Sequence, residues 1–475
     1  MTTQTAQALV RSPEHRVSRA GLTLALASAV LAFSMMQTLL VPALPVFAAE
    51  LQVDSATAGW ILTAYLLSGA VAAPVIGSLG DRFGHRRILI LAMLIFVAGA
   101  ALAAIASTLP LLLAGRVLQG AATASFPLAV AIVRLQLVGS AQATAIGWLS
   151  GTLGLGAGLA LVVGGAVVDF LSWPWLFIVG GVLGLLSIAL VLWQVPGSAA
   201  PAVKTRPDWG GIVLLVTTLL PLLLVVSQGA SWGWGSPVIL GLAGVTVISL
   251  IALVLVERRV AAPLVDPRLV THRALAATNL LTVFLGFIPY VFYVGLPVLL
   301  QASPAHGVGH GLGVTATGVA LLPGAILVFL GGRLTPWLLG RMSGRWVAAL
   351  ALGVMLLGGV GIAVRPESLW VVVVFFSLIG LGNGIGFAVI AELIAGNVPA
   401  AGLGAALGVN GVLRTVGSAL GTPIATLVLT TVGLTAAGTQ GTGTFSALFG
   451  AAAVVSLVGV IAAFLVPKPK PERQR

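Results

Sequence analysis

The chain has 475 residues, of which 59% are hydrophobic and 7% charged. A soluble domain carries about 25% charged residues, so this chain cannot cover a water-facing surface and reads as an all-α polytopic membrane protein. The net charge is +12; the lack of cysteine excludes disulfide frameworks and thiolate chemistry, and five histidines with eleven carboxylates leave little for a metalloenzyme.

A helix needs about 20 mostly apolar residues to cross roughly 30 Å of hydrocarbon. Fourteen stretches qualify: 21–47, 57–79, 87–107, 110–133, 143–168, 174–194, 210–229, 237–256, 275–301, 314–335, 346–364, 368–391, 404–430 and 444–466. The seventh and eighth are parted only by Ser231 to Gly235, where Trp232 and Trp234 read as interfacial anchors rather than cargo contacts. With a cytoplasmic amino terminus, Arg11, Arg16, Arg19, Arg82, Arg86, Arg87, Arg134, Lys204, Arg206, Arg258, Arg259, Arg268, Arg273, Arg333, Arg341, Arg345, Lys468, Lys470, Arg473 and Arg475 all lie inside. Only Arg365 falls outside, and Arg116 and Arg414 lie within spans. The positive-inside rule then places both termini in the cytoplasm, with the first span retained rather than cleaved.

Internal similarity divides the chain. Gln119–Gly120 pairs with Asn383–Gly384, and Gly147 with Gly411, at an offset of 264; Leu79, Gly80 and Gly84 pair with Leu339, Gly340 and Gly344 at 260. The expected domains are a six-helix bundle over 1–194, linkers with two extra helices over 195–273, and a second bundle with a tail over 274–475. Repeated halves point to alternating access around a site near the bilayer midplane. Glycines thin the fifth span at 147, 151, 154, 156, 158, 164 and 165, a pattern that serves close helix contact whether the packing slides or stays static.

Between the second and third spans the chain reads GSLGDRFGHRR over 77–87. Gly77, Gly80 and Gly84 permit a tight turn, Asp81 can pair with a cationic or helix-terminal partner, and Arg82, Arg86 and Arg87 suit an anionic inner surface. This segment resembles the signature loop of the major facilitator superfamily, and LAGRVLQG, with Arg116, Gln119 and Gly120, is similar to the family's second motif. Fourteen spans make the chain resemble the larger branch of drug:proton antiporters. Asn279, Pro297 and Gln301, then Gly318, Leu321, Leu322 and Pro323, and SWPWLF at 172–177 extend the likeness. The resemblance implies two six-helix halves with two inserted helices, a multi-pass place in the cytoplasmic membrane, and a loop whose Asp81 latches the halves rather than binding cargo.

Departures from that pattern bear on coupling. Met36 stands where the branch has an acidic residue, Ala160–Leu161 replaces a Gly-Pro, Pro174 replaces an Arg, and Arg341 stands in the second loop copy where Asp81 stands in the first. The candidates for proton coupling are then Arg116, Glu392 and Arg414. A mid-span charge costs about 2.5–3.5 kcal/mol, so Arg116 is either a structural donor to nearby carbonyls or a fixed cation that tunes a nearby proton-binding group or contacts the cargo. Glu392 is either a proton carrier or an interfacial residue that reaches water. Arg414 is a coupling group or a structural partner for it. Glu50, Asp54, Asp169 and Glu367 fall at the mouths.

A carboxylate-poor interior disfavours dications. An electrical term of about 2.3 kcal/mol per charge at 100 mV and about 1.4 per pH unit both act on a neutral solute exchanged for a proton, whereas a monovalent cation gains only the second. An amphipathic neutral or anionic cargo is expected, touched by Met35, Met36 and Gln37 on the first span, Gln119 on the fourth, and Phe284, Phe287, Tyr290 and Tyr293 on the ninth. Static packing is the alternative for each aromatic.

GLGNGIG over 380–386 sits in a spanning helix and reads as close packing, and His306 with His310 lacks a third metal ligand. No P-loop occurs, so this chain does not power transport by its own ATP hydrolysis. The leading expectation is a non-enzymatic exporter of drug-like or antibiotic compounds. It would need no cofactor beyond the proton gradient, and its partners would be its cargo, protons and membrane lipid. It is expected to be monomeric, with no nucleic acid. Import or facilitated diffusion of a metabolite, and a non-transporting scaffold or sensor, are the competing readings.

Overall fold

A computed structural model describes residues 18–53, 55–197, 208–260, 273–304, 308–398, 403–432 and 441–467. Asp54, His306 and Gly402 lie outside these residues, as do Arg11, Arg16, Lys204, Arg206, Arg268 and the basic residues after 467. The helices are α1 (Arg19–Thr38), α2 (Leu44–Glu50), α3 (Ser55–Phe83), α4 (His85–Ala104), α5 (Leu109–Gln119), α6 (Ser125–Gln136), α7 (Gly139–Phe170) and α8 (Pro174–Gln194). They continue as α9 (Trp209–Trp232), α10 (Pro237–Glu257), α11 (Arg273–Gln301), α12 (Val314–Leu339), α13 (Gly344–Val364), α14 (Leu369–Asn397), α15 (Leu403–Thr431) and α16 (Thr442–Ala463). With α5 and α6 counted as one crossing, 13 spans are long and apolar enough for a bilayer. The 29-residue α15 makes the fourteenth.

Two spans differ from the expected continuous helices. The first ends at Thr38, and a 3-10 turn over Val41–Ala43 redirects the chain into short α2. Pro42 and Pro45 lack the N–H groups that would continue the helix. The fourth breaks into α5 and α6 around a 3-10 segment, Gly120–Ala124. Gly84, at φ 96°, makes the corner from α3 to α4, and Gly233, at φ 85°, ends α9. A side chain in that left-handed region is strained, which is why glycine holds both corners.

Gly120 backs onto Ser68 and Gly69 of α3, and Gly384 backs onto Val328 of α12. Gly384 follows Gly120 by 264 positions (384 − 120), and Val328 follows Ser68 by 260 (328 − 68). One helix contact therefore occurs in each half, at both offsets visible in the sequence.

The halves meet along two seams. In one, α7 lies against α12 so closely that a Cβ on Gly147 would stand 2.5 Å from the Gly332 carbonyl, and one on Gly151 2.6 Å from that of Phe329. In the other, Gly408 of α15 rests on Pro74 of α3. The inserted α9 covers this second seam, packing Leu219 and Leu223 against Val71, Ala70, Val412 and Val416 of both halves. Trp232 stacks at 6.1 Å on Trp60, and both Trp232 and Trp234 are exposed.

Candidate functional site

Between the seams lies a two-lobed chamber. The first lobe is lined by Phe33, Gln37, Tyr65, Phe126, Thr282, Phe387, Asn410 and Arg414, among others. The second shares Gln37, Leu153, Leu285, Phe387 and Arg414 and adds Tyr290, Tyr293, Asn383 and Ser418. Arg414 is the one charged side chain among the lining residues of both lobes.

Helical spacing explains who reaches the chamber. From α11 the lining residues are Thr282, Leu285, Gly286, Pro289, Tyr290 and Tyr293; from α15 they include Leu407, Asn410, Gly411, Arg414 and Ser418. Both sets follow the i, i+3, i+4 stripe of one helix face. At about 100° per residue, Phe284 falls roughly opposite the centre of that stripe and Phe287 about 130° from it. Phe284 instead packs near Gly459 of α16, and neither Phe lines the chamber. Met35 and Met36 are likewise off the chamber: both are buried, and the Met36 sulfur fills the space that a side chain at Gly180 would need. Of the eight expected cargo contacts, the structure brings Gln37, Tyr290 and Tyr293 together there.

The polar lining is held in place. Gln37 donates through Nε2 to the Tyr290 hydroxyl at 2.6 Å, across the two halves. Tyr290 and Tyr293 form a T-shaped pair at 5.7 Å. Thr38 and Ser34 donate to the Ala157 and Leu153 carbonyls of α7. Asn410 donates to Asn279 at 3.0 Å and to Thr282 at 2.7 Å. Tyr65, Phe387 and Asn410 are not marked by the sequence reading, and Asn383 enters it only as the repeat partner of Gln119 and within the glycine-rich packing segment. Polar residues in mid-span are costly unless they serve a site or a hydrogen-bond network, and that signal marks Asn383 and Asn410.

Arg116 is fully buried outside the chamber. Its Nε donates to the Ile61 carbonyl at 2.9 Å, Nη1 to Gln119 Oε1 at 2.8 Å, and Nη2 to the Met36 carbonyl at 3.3 Å. The guanidinium lies 4.3 Å from the Tyr65 ring centroid, and Tyr65 donates to the Phe33 carbonyl. Every one of these partners belongs to the first half and is neutral, so of the two readings of Arg116 the geometry matches the structural donor. Gln119 serves as its acceptor and does not line the chamber.

The signature loop lies on one face of the bundle. Asp81 Oδ1 meets His85 Nε2 at 2.9 Å, Arg86 donates to the Leu192 carbonyl, and Arg87 is exposed. Gly77 and Arg82 are buried, and Gly80 sits against Leu128. A bond that crosses the halves at this face comes from Arg134, outside the motif, whose Nη1 donates to the Val398 carbonyl at 2.8 Å. Glu392, half-buried on α14, lies within electrostatic reach of Arg134, and its Oε1 has no hydrogen-bond partner among the described residues. Nearby, Arg333 stacks across the first seam on Trp148 at 4.9 Å.

At the opposite face, Thr315 donates to the Asp169 carboxylate, again across the halves, and Trp173 donates to Glu50 at 2.7 Å. His310 lies 3.4 Å from the Pro366 carbonyl.

The chain matches the family described as Major Facilitator Superfamily over residues 26–422 and 334–475. It is 30% identical over 413 residues to an uncharacterized MFS-type transporter of Mycobacterium tuberculosis (strain CDC 1551 / Oshkosh), covering 84% of this chain but only 58% of the relative's length. It is 27% identical to the tetracenomycin C resistance and export protein of Streptomyces glaucescens, over 84% of this chain and 74% of that one. Multidrug resistance protein 3 of Bacillus subtilis is 26% identical over 78% and 72%, respectively. The fold is that of the human organic anion transporter MFSD10 (TETRAN), with a TM-score of 0.61, 16% identity, and coverage of 95% and 100%.

Proposed function

The chain belongs to the Major Facilitator Superfamily, and we propose that it exports amphipathic, drug-like compounds by alternating access, driven by the proton gradient across the cytoplasmic membrane. The observation that carries this reading is the chamber, whose walls come from both halves and mix aromatic rings with hydrogen-bonding groups. Orienting polar groups on an apolar wall suit an amphipathic ligand. Relatives named as resistance and export proteins support the direction.

In this reading the Gly84 face is cytoplasmic, as are both termini. The halves are tied at that face by Arg134 to Val398 and near the other by Gln37 to Tyr290 and Thr315 to Asp169. Rocking exchanges one set of bonds for the other while the tightly packed glycine seam acts as the pivot. Glu392 carries the proton. When ionised it attracts Arg134; protonation removes that attraction and loosens the bridge to Val398, so proton exchange biases which face opens.

Reconstitution in proteoliposomes with an imposed pH gradient tests this directly. Gradient-driven flux of amphipathic compounds is expected, and Glu392→Gln should abolish it while sparing counterflow. Flux indifferent to the gradient in the unsubstituted chain removes the proton coupling; no flux of any compound removes transport.

A further inference from the structure

Arg116 and Arg414 are both arginines within spans, but their surroundings differ. The Arg116 guanidinium donates to three acceptors. That of Arg414 lies 5.2 Å from the Phe387 ring centroid and has no hydrogen-bond partner among the described residues. Arg414 is half-buried; an arginine carries five N–H donors in a planar fork, and drawing its charge part-way out of water without a partner is costly. Contact with an aromatic ring offsets part of that cost and uses no N–H donor, so the fork stays available.

The fork faces the chamber, because Arg414 lines both lobes. Among the described lining residues there is no aspartate or glutamate to neutralise it. The neighbouring donors are engaged: Asn410 with Asn279 and Thr282, and Gln37 with Tyr290. A lone cation with free donors, walled by Phe33, Tyr65, Phe126 and Phe387, fits a ligand with an aromatic or aliphatic body and one planar anionic group.

We infer that Arg414 binds the carboxylate or sulfonate of an amphipathic organic anion, which makes such anions the preferred cargo. This rests on the chamber being the transport site. Paired N–H···O bonds from a guanidinium are charge-assisted and geometrically specific, so the anion is selected over a neutral analogue of equal shape, and a cation is repelled.

The test is equilibrium binding of three probes of one shape, naphthylacetate, its methyl ester and naphthylethylamine, to the full chain in detergent, read by calorimetry. Naphthylacetate should bind at least about tenfold more tightly than the ester, and the amine more weakly than either. Arg414→Gln should bring the acid-to-ester ratio to about one, and Arg414→Lys should restore part of it by keeping the charge without the fork. Equal affinity for acid and ester in the unsubstituted chain overturns the inference whether or not R414Q folds, as does a ratio that survives R414Q. Gradient-driven flux of the ester with no preference for the acid sinks the anion site and leaves the transport reading standing. Anion-selective binding without flux of any probe does the reverse.

Discussion

The Gln37 amide and the Tyr290 hydroxyl, 2.6 Å apart, join α1 of one half to α11 of the other at the wall of the second lobe. A protein that alternates access must break such a link once per cycle. A net value of about 1 kcal/mol for one hydrogen bond is small enough to break in every cycle and large enough to bias a two-state equilibrium about fivefold.

Tyr290→Phe keeps the ring and removes the hydroxyl. The chamber should then open more readily on the face opposite Gly84. Because the natural chain has no cysteine, a single Ala157→Cys on the second lobe supplies a clean reporter. Its labelling by an impermeant thiol reagent should rise severalfold in the Tyr290→Phe background; an unchanged rate means the bond does not gate that lobe.

Arg134→Gln makes the corresponding test at the Gly84 face. It removes the charge-assisted bond to the Val398 carbonyl, of the kind that contributes about 1.5–3 kcal/mol. An Ala391→Cys reporter in the first lobe should become about tenfold or more accessible from that face. No change would assign the closure of that face to the glycine seam alone.

Arg116→Met should act on stability. It removes three hydrogen bonds from a charged donor and leaves the buried Gln119 oxygen without its partner, at about 1–3 kcal/mol for a buried group left unsatisfied. Thermal unfolding in detergent should shift down by several degrees. Native-like melting combined with lost proton coupling would instead restore the coupling role that the sequence left open.

Gly332→Val places branched carbons where an ideal Cβ already stands 2.6 Å from the Gly147 carbonyl and 2.7 Å from the Gly151 nitrogen. Overpacking of this kind costs about 1–3 kcal/mol or more, and the folded yield should fall sharply. Gly353→Ala meets nothing within 4 Å and should fold normally. If the two variants behave alike, the seam is not closely packed.

The fourteen spans, the inserted pair and the corner at Gly84 were legible in the sequence because each depends on local chemistry. About 20 apolar residues make a crossing, and a glycine amid charges makes a turn. Breaks inside spans were harder to see. The interruption at Gly120–Ala124 stays apolar, and it lies where Gly120 comes up against Ser68 and Gly69 of α3, a contact between distant parts of the chain. Facing was harder still: a helix in lipid is apolar on its outer side as well as its inner one, so hydrophobic periodicity does not mark the buried face. That is why Phe284 and Phe287 were grouped with Tyr290 and Tyr293 although they point away from the chamber.

By itself, then, the sequence determined that this is a fourteen-span chain with a repeated plan, since insertion and repetition are written in composition and spacing. Only the tertiary structure decided what surrounds the two mid-span arginines. Arg116 donates to carbonyls 55 and 80 positions away, whereas Arg414 meets an aromatic ring and open space. A buried charge takes its role from the acceptors within about 3 Å of it, and packing, not chain order, decides which acceptors those are.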